Sequence, residues 1–199
     1  MTTRYQQLLQ QLSQRTRREL GQLADRHTRG SLPRGQFLAV GAAAIARADR
    51  RAVTLADVAL AAQLMAALGA VVHPLGLKSD ADQRKLAGSL ASILDADMAT
   101  VDEQGMPASI RARVERLASN EPLHAASLAT TAGMELHAGA PRMHELVGWR
   151  RSVSAGACPL CSAWASGGPF GPSVHMARHV GCACVQQVVV QRVTSGALA

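Results

Sequence analysis

Aromatic residues make up only 3% of this 199-residue chain. Strands favour β-branched and aromatic side chains, so this scarcity argues against an extensive sheet. It also limits the core, since Phe and Trp bury the largest areas. Lysine is nearly absent: Lys78 and Lys85 are the only two among 21 basic residues. No aspartate or glutamate lies between Arg150 and Ala199. A catalytic zinc in that segment would lack the nearby carboxylate that usually serves as general base. Neither a phosphate-binding glycine loop nor a G-x-S-x-G elbow occurs. The first twenty residues are polar and charged, without the apolar run of a secretory signal. The most apolar stretch, Val58–Val72, contains Gln63 and is too short to span a bilayer, so no membrane contact is expected. No internal repeat is visible.

What is abundant is alanine and leucine, which favour helices. The expected fold is mainly α, with about six helices over residues 1–140 and a small C-terminal β module of zinc-knuckle type over 141–199. Thr2 or Thr3 can cap a first helix, with Tyr5, Leu8, Leu9, Leu12, Leu20 and Leu23 on one face. Gly30 to Pro33 stops it. A second helix is expected to run to about Arg51. Thr54 followed by Asp57 reads as the start of a third, ending near Gly69. A fourth opens at Asp80, with Leu86, Leu90, Ile93 and Leu94 in register. Gly105-Met106-Pro107 breaks it. A fifth runs from Ala108 to Ser119. Asn120-Glu121-Pro122 reads as a cap and first turn of a sixth, which runs to Ala138. Gly139-Ala140-Pro141 marks the boundary of the module.

The formal net charge is +7. It is compatible with a contact to something acidic, including nucleic acid, or with nothing more than an arginine- and alanine-rich composition. The cluster Arg15, Arg17 and Arg18 reads as a solvated helix face. Asp95, Asp97, Asp102 and Glu103 form a short acidic patch of the same kind.

All four cysteines fall within the 27 residues from Cys158 to Cys184. Cys158-Pro159-Leu160-Cys161 has knuckle spacing: two intervening residues let both sulfurs reach one metal at ~2.3 Å. Cys182-Ala183-Cys184 forms a second clip, and His179 stands three residues before it. Cys158, Cys161, His179, Cys182 and Cys184 are therefore the candidate metal ligands, and structural Zn²⁺ is the candidate ion. Four cysteines without a histidine is the alternative donor set. His175, four residues before His179, reads as a neighbour of the site. Disulfides, or thiols acting as small buried hydrophobes, remain alternatives to metal binding. Trp149–Val153 and Val185–Val193 read as strands that lead into and out of the cysteines. Trp149 and Trp164 are expected to pack around the first pair.

The run Gly148-Trp149-Arg150-Arg151, then Cys158-Pro159-Leu160-Cys161, then His179-Val180-Gly181-Cys182-Ala183-Cys184 resembles the C-terminal signature of the phage Mu F-like minor head protein (head morphogenesis) family. The resemblance covers about the last fifty residues. Many members have Pro where this chain has Val180, and a basic residue where it has Ala183. It implies a non-enzymatic minor capsid protein of a tailed bacteriophage, made in the host cytoplasm and located in the virion head. The implied partners are the portal protein and the major capsid protein, with packaged DNA as a further one. Two other readings stand beside it: a zinc-module nucleic-acid-binding protein, and a zinc-stabilised nuclease.

Overall fold

A computed structural model of the chain describes residues 3–96, 109–139 and 146–191. Five helices and two strands occur among them: α1 (Arg4–Thr28), α2 (Arg34–Leu68), α3 (Gln83–Asp95), α4 (Ile110–Ala138), β1 (Leu146–Ser152), α5 (Pro159–Ala165) and β2 (Val185–Val190). The mainly helical character and the small sheet agree with the sequence. The number of helices does not: among the described residues four, rather than about six, precede the hairpin.

α1 begins at a capping box. The Thr3 hydroxyl accepts from the Gln6 N–H while the Gln6 side chain accepts from the Thr3 N–H. The expected second and third helices are one. Thr54 does not start a helix; its hydroxyl donates to the Arg50 carbonyl one turn back, 3.1 Å away, and α2 runs through. Asp57 is no cap either. It is buried, and its carboxylate accepts from three backbone N–H groups of the connector: Leu75 (2.9 Å), Gly76 (2.7 Å) and Leu77 (3.1 Å). The expected fifth and sixth helices also merge. α4 passes through Pro122, which lacks the N–H that would bond the Ala118 carbonyl. The flanking apolar residues Ala118, Leu123 and Ala126 are fully packed, and burial along the whole helix outweighs one missing hydrogen bond. α3 starts slightly later than expected, capped by the Asp82 side chain. The break at Gly105–Pro107 lies outside the described residues.

α1, α2 and α4 pack against one another, with α3 on α2. The pairs Asp25–Arg111, Arg17–Glu115 and Ser13–Ser119 show that α4 runs antiparallel to α1. Arg17 of the basic cluster is thus engaged with Glu115, while Arg15 and Arg18 are exposed. Asp95 is held by Arg34 through two hydrogen bonds. The rest of the acidic patch is not among the described residues.

Three apolar clusters follow one another along the bundle. Leu20, Phe37, Ile45, Leu90 and Val114 fill the end near α3. Leu9, Val53, Leu123 and Val185 fill the middle. Leu60, Leu64 and Met134 join Trp149 and Met176 at the hairpin end. By length and composition alone, α2 is apolar enough to cross a membrane, contrary to the sequence expectation. In this fold its buried side carries Asp49 and Asp57 among the alanines and leucines that face the other helices.

β1 and β2 form an antiparallel pair with Trp149 opposite Val188 and Ser152 opposite Val185. Gln63 of α2 accepts from the Val188 N–H at 2.9 Å, which fastens the hairpin to the bundle. The cysteines lie between the strands, where β1 has ended and β2 is about to begin.

Candidate metal centre

The local sequence builds two knuckles. In the first, Cys158 caps the short helix α5, and its sulfur accepts from the Cys161 N–H at 3.4 Å. Pro159 occupies the first turn, where no N–H is needed. This helical turn was not anticipated from the sequence, since a seven-residue helix leaves no periodicity to read. In the second, the Cys182 N–H donates to the His179 carbonyl at 3.1 Å. Gly181 sits at φ +75°, a conformation costly for any residue with a Cβ. Its N–H donates to the Asn120 side chain of α4 at 2.9 Å. Asn120, read from sequence as a helix cap, therefore anchors the second knuckle to the bundle.

The side chains converge. The His179 Nε2 lies 3.1 Å from the Cys158 sulfur and 2.9 Å from the Cys161 sulfur. The Cys161 and Cys182 sulfurs are 3.3 Å apart. Cys158, Cys161 and His179 form one trio and Cys161, Cys182 and Cys184 another, and the donor atoms of each lie within 4.8 Å of one another, close enough to hold a metal ion. Cys161 belongs to both. All four cysteines are free thiols, and Cys161, Cys182 and Cys184 are buried. His179 Nδ1 is 3.0 Å from the Val180 carbonyl. With its proton on Nδ1, the ring donates there and leaves the Nε2 lone pair facing the sulfurs, an orientation common to metal-bound imidazoles. His175 is exposed and belongs to neither trio.

Only one of the two tryptophans sits as expected. Trp149 is buried, but it faces the helices: it packs with Leu60, Leu64 and Met134, meets the Phe170 ring at a tilt of 33° with centroids 4.6 Å apart, and donates from Nε1 to the Val174 carbonyl. Trp164 stands beside the thiols, its ring centroid 6.3 Å from that of His179.

Sequence reasoning overlooked two arginines. Arg151 is buried on β1, with Nη1 4.0 Å from the Cys161 sulfur and 3.8 Å from the Cys182 sulfur. Its guanidinium lies 5.0 Å over the Trp164 ring. Arg178 donates to the carbonyls of Cys182 and Cys184. The signal was available: strand alternation turns Arg151 to the opposite face from Arg150, and no carboxylate follows in the sequence to meet it.

The thiols differ electrostatically. Burial, with Cys182 and Cys184 close by, pushes the Cys161 thiol well above the usual range. Burial also acts upward on Cys184, but a backbone hydrogen bond with Ser154 and contacts with Cys182, Cys161 and Arg151 outweigh it and leave this thiol below its ordinary value. Burial draws the Arg178 guanidinium down, partly offset by Cys182 and Tyr5.

The donor set suits a soft or borderline cation. Thiolate sulfur and imidazole nitrogen select such ions over the oxygen-seeking Mg²⁺ and Ca²⁺. No Asp or Glu belongs to either trio among the described residues. No family model matches this chain, and the comparisons with curated proteins and with solved structures also found no match.

Proposed function

We propose that this chain is a non-enzymatic minor capsid, or head-morphogenesis, protein of a tailed bacteriophage, associated with the portal or inner capsid and carrying a structural zinc site. The observation that carries the reading is the convergence of the signature's own residues. Cys158, Cys161, His179, Cys182 and Cys184 are separated by up to 26 positions in sequence (158 to 184), yet they fall into two trios that share Cys161. Zinc is the ion whose tetrahedral, thiolate-and-imidazole preference this set matches best. Cys158, Cys161 and His179 supply three donors, and Cys182 or Cys184 the fourth. Tetrahedral bonds of ~2.3 Å would place sulfurs about 3.8 Å apart, so the Cys161–Cys182 pair, at 3.3 Å, would need to open by only a few tenths of an ångström to share an ion. Four protein donors would fill a tetrahedral ion, and no Asp or Glu joins either trio among the described residues, which favours a structural role over a nuclease. In this reading the helical bundle supplies the docking surface and the metal fixes the hairpin loop.

Mass spectrometry of gradient-purified virions, combined with pull-down of the portal protein encoded nearest this gene, tests the assignment. The chain is expected in the particle at low copy number and bound to portal. Its absence from virions together with failure to bind portal or capsid protein would overturn the reading. The nucleic-acid alternative draws on the +7 net charge and on exposed Arg15 and Arg18. It predicts duplex binding that weakens steeply with salt.

A further inference from the structure

The metal reading leaves two cations to be explained. Arg151 is 7% exposed, and its Nε has no partner among the described residues. Its remaining nitrogens face the Cys161 and Cys182 sulfurs and the Ala177 carbonyl. Arg178 holds the Cys182 and Cys184 carbonyls. A buried guanidinium without a counter-charge is strongly destabilising. The ion pairs among the described residues use Arg17, Arg34, Arg47 and Arg111, all in the helices. The segment from Arg150 onward holds no Asp or Glu that could serve. Among the described residues, Arg151 meets no carboxylate; its neighbours are the Cys161 and Cys182 sulfurs, which become anionic only as thiolates on a metal.

We infer that Arg151 and Arg178 are positioning residues of the metal centre: fixed cations that balance the negative charge left when thiolates hold a divalent ion. This rests on the metal reading above. Three thiolates on a divalent ion leave one negative charge and four leave two, as simple addition shows. Two thiolates with two imidazoles would leave none, and buried Arg151 with half-buried Arg178 would then stand beside a neutral centre without a counter-charge. The shell therefore matches a thiolate-rich set of three or four cysteines. It also does work on the sulfurs. A guanidinium within reach of Cys161 and Cys182 lowers the electron density available for reaction, so both remain on the metal and resist electrophiles. The Trp164 ring packs on the Arg151 guanidinium, 5.0 Å from its centroid, and helps hold it in place.

The full-length, zinc-loaded chain is compared with Arg151→Met and Arg151→Lys. Zinc affinity is read by chelator competition, and sulfur reactivity by the rate of iodoacetamide labelling. Loss of a partner around a metal ligand typically weakens binding 10–100-fold. We expect Arg151→Met to fall in that range and to label faster, with Arg151→Lys recovering at least tenfold in affinity. Unchanged affinity and labelling in Arg151→Met would overturn the inference. A lysine variant as weak as the methionine one would overturn it too, since packing rather than charge would then be responsible. If Arg151→Met does not fold, folding restored by lysine supports the charge role, and folding not restored by lysine overturns it. The same pair at Arg178 gives an independent reading. Wild-type chain that binds no zinc would remove the metal reading itself, an outcome distinct from wild-type binding that Arg151→Met shares.

Discussion

The Gln6 side chain donates from Nε2 to the carbonyl of Ser152, 3.1 Å away and 146 positions later in the chain. The same amide, fully buried, accepts from the Thr3 N–H at 2.8 Å. One residue therefore both closes the start of α1 and holds the end of β1, where the chain leaves for the first knuckle. Gln6→Ala should lose both contacts, about 2 kcal/mol in urea unfolding, whereas Thr3→Ala, which loses only the cap, should lose about 1 kcal/mol. Equal losses would mean that the tie to Ser152 contributes nothing.

Cys161 is the one donor common to both trios. Cys161→Ser should abolish zinc binding in the purified chain. Cys184→Ser, which leaves Cys158, Cys161, His179 and Cys182 in place, should keep one zinc per chain with weakened affinity. Elemental analysis of the two variants side by side checks the ranking. Full retention of zinc by Cys161→Ser would contradict it.

Gly148 sits at φ +145°, and a Cβ there would stand 1.8 Å from the Phe170 carbonyl oxygen. The approach is backbone on backbone, because Trp149 and Phe170 exchange N–H···O bonds of 2.9 and 2.8 Å. No rotamer can relieve it. Gly148→Ala should destabilise the chain by about 3 kcal/mol or more, with loss of the Trp149 near-ultraviolet signal. A variant melting within a degree or two of the parent would show that the loop can yield.

Asp49 is buried in α2 with one carboxylate oxygen unpartnered among the described residues. Burial, reinforced by Glu121 and opposed by Arg50, raises its pKa from 3.8 to about 7. The folded chain therefore keeps a proton that the unfolded chain releases near pH 4. Stability from this group is fully present below about pH 4 and is lost as pH rises through 7. Glu121, raised by its own burial, acts in the same direction. Asp49→Asn cannot ionise, so it should gain on the parent by about 1–2 kcal/mol between pH 5 and pH 8. Urea midpoints at the two pH values give the comparison, and an identical pH slope in both proteins would exclude Asp49 as the source.

Much of the fold was legible because it is local. Thr3 and Gln6 write their own capping box, and Val185–Val190 declares a strand by composition alone. Leu86 and Leu90 mark the buried side of α3, as their spacing implied. The residues of the two trios were legible for the same reason, since short Cys and His spacings constrain the backbone between them. What failed were the stop signals inside long helices. Thr54, Asp57, Asn120 and Pro122 each have two uses, at a helix end or within a helix, and the local sequence cannot say which applies.

The sequence by itself determined that the chain is mainly helical and carries two strands late in its length, and it marked four cysteines and His179 as candidates to lie together. Those features follow from propensity and from ligand spacing, both short-range. Only the tertiary structure decided that α2 and α4 run uninterrupted, because burial against neighbouring helices outweighs one lost hydrogen bond at Pro122 or one weak cap at Thr54. Only it gave Asp57 to the connector, Asn120 to the second knuckle and Arg151 to the sulfurs. Each of these is a polar side chain removed from water, and which partner satisfies it depends on what the folded chain brings within reach.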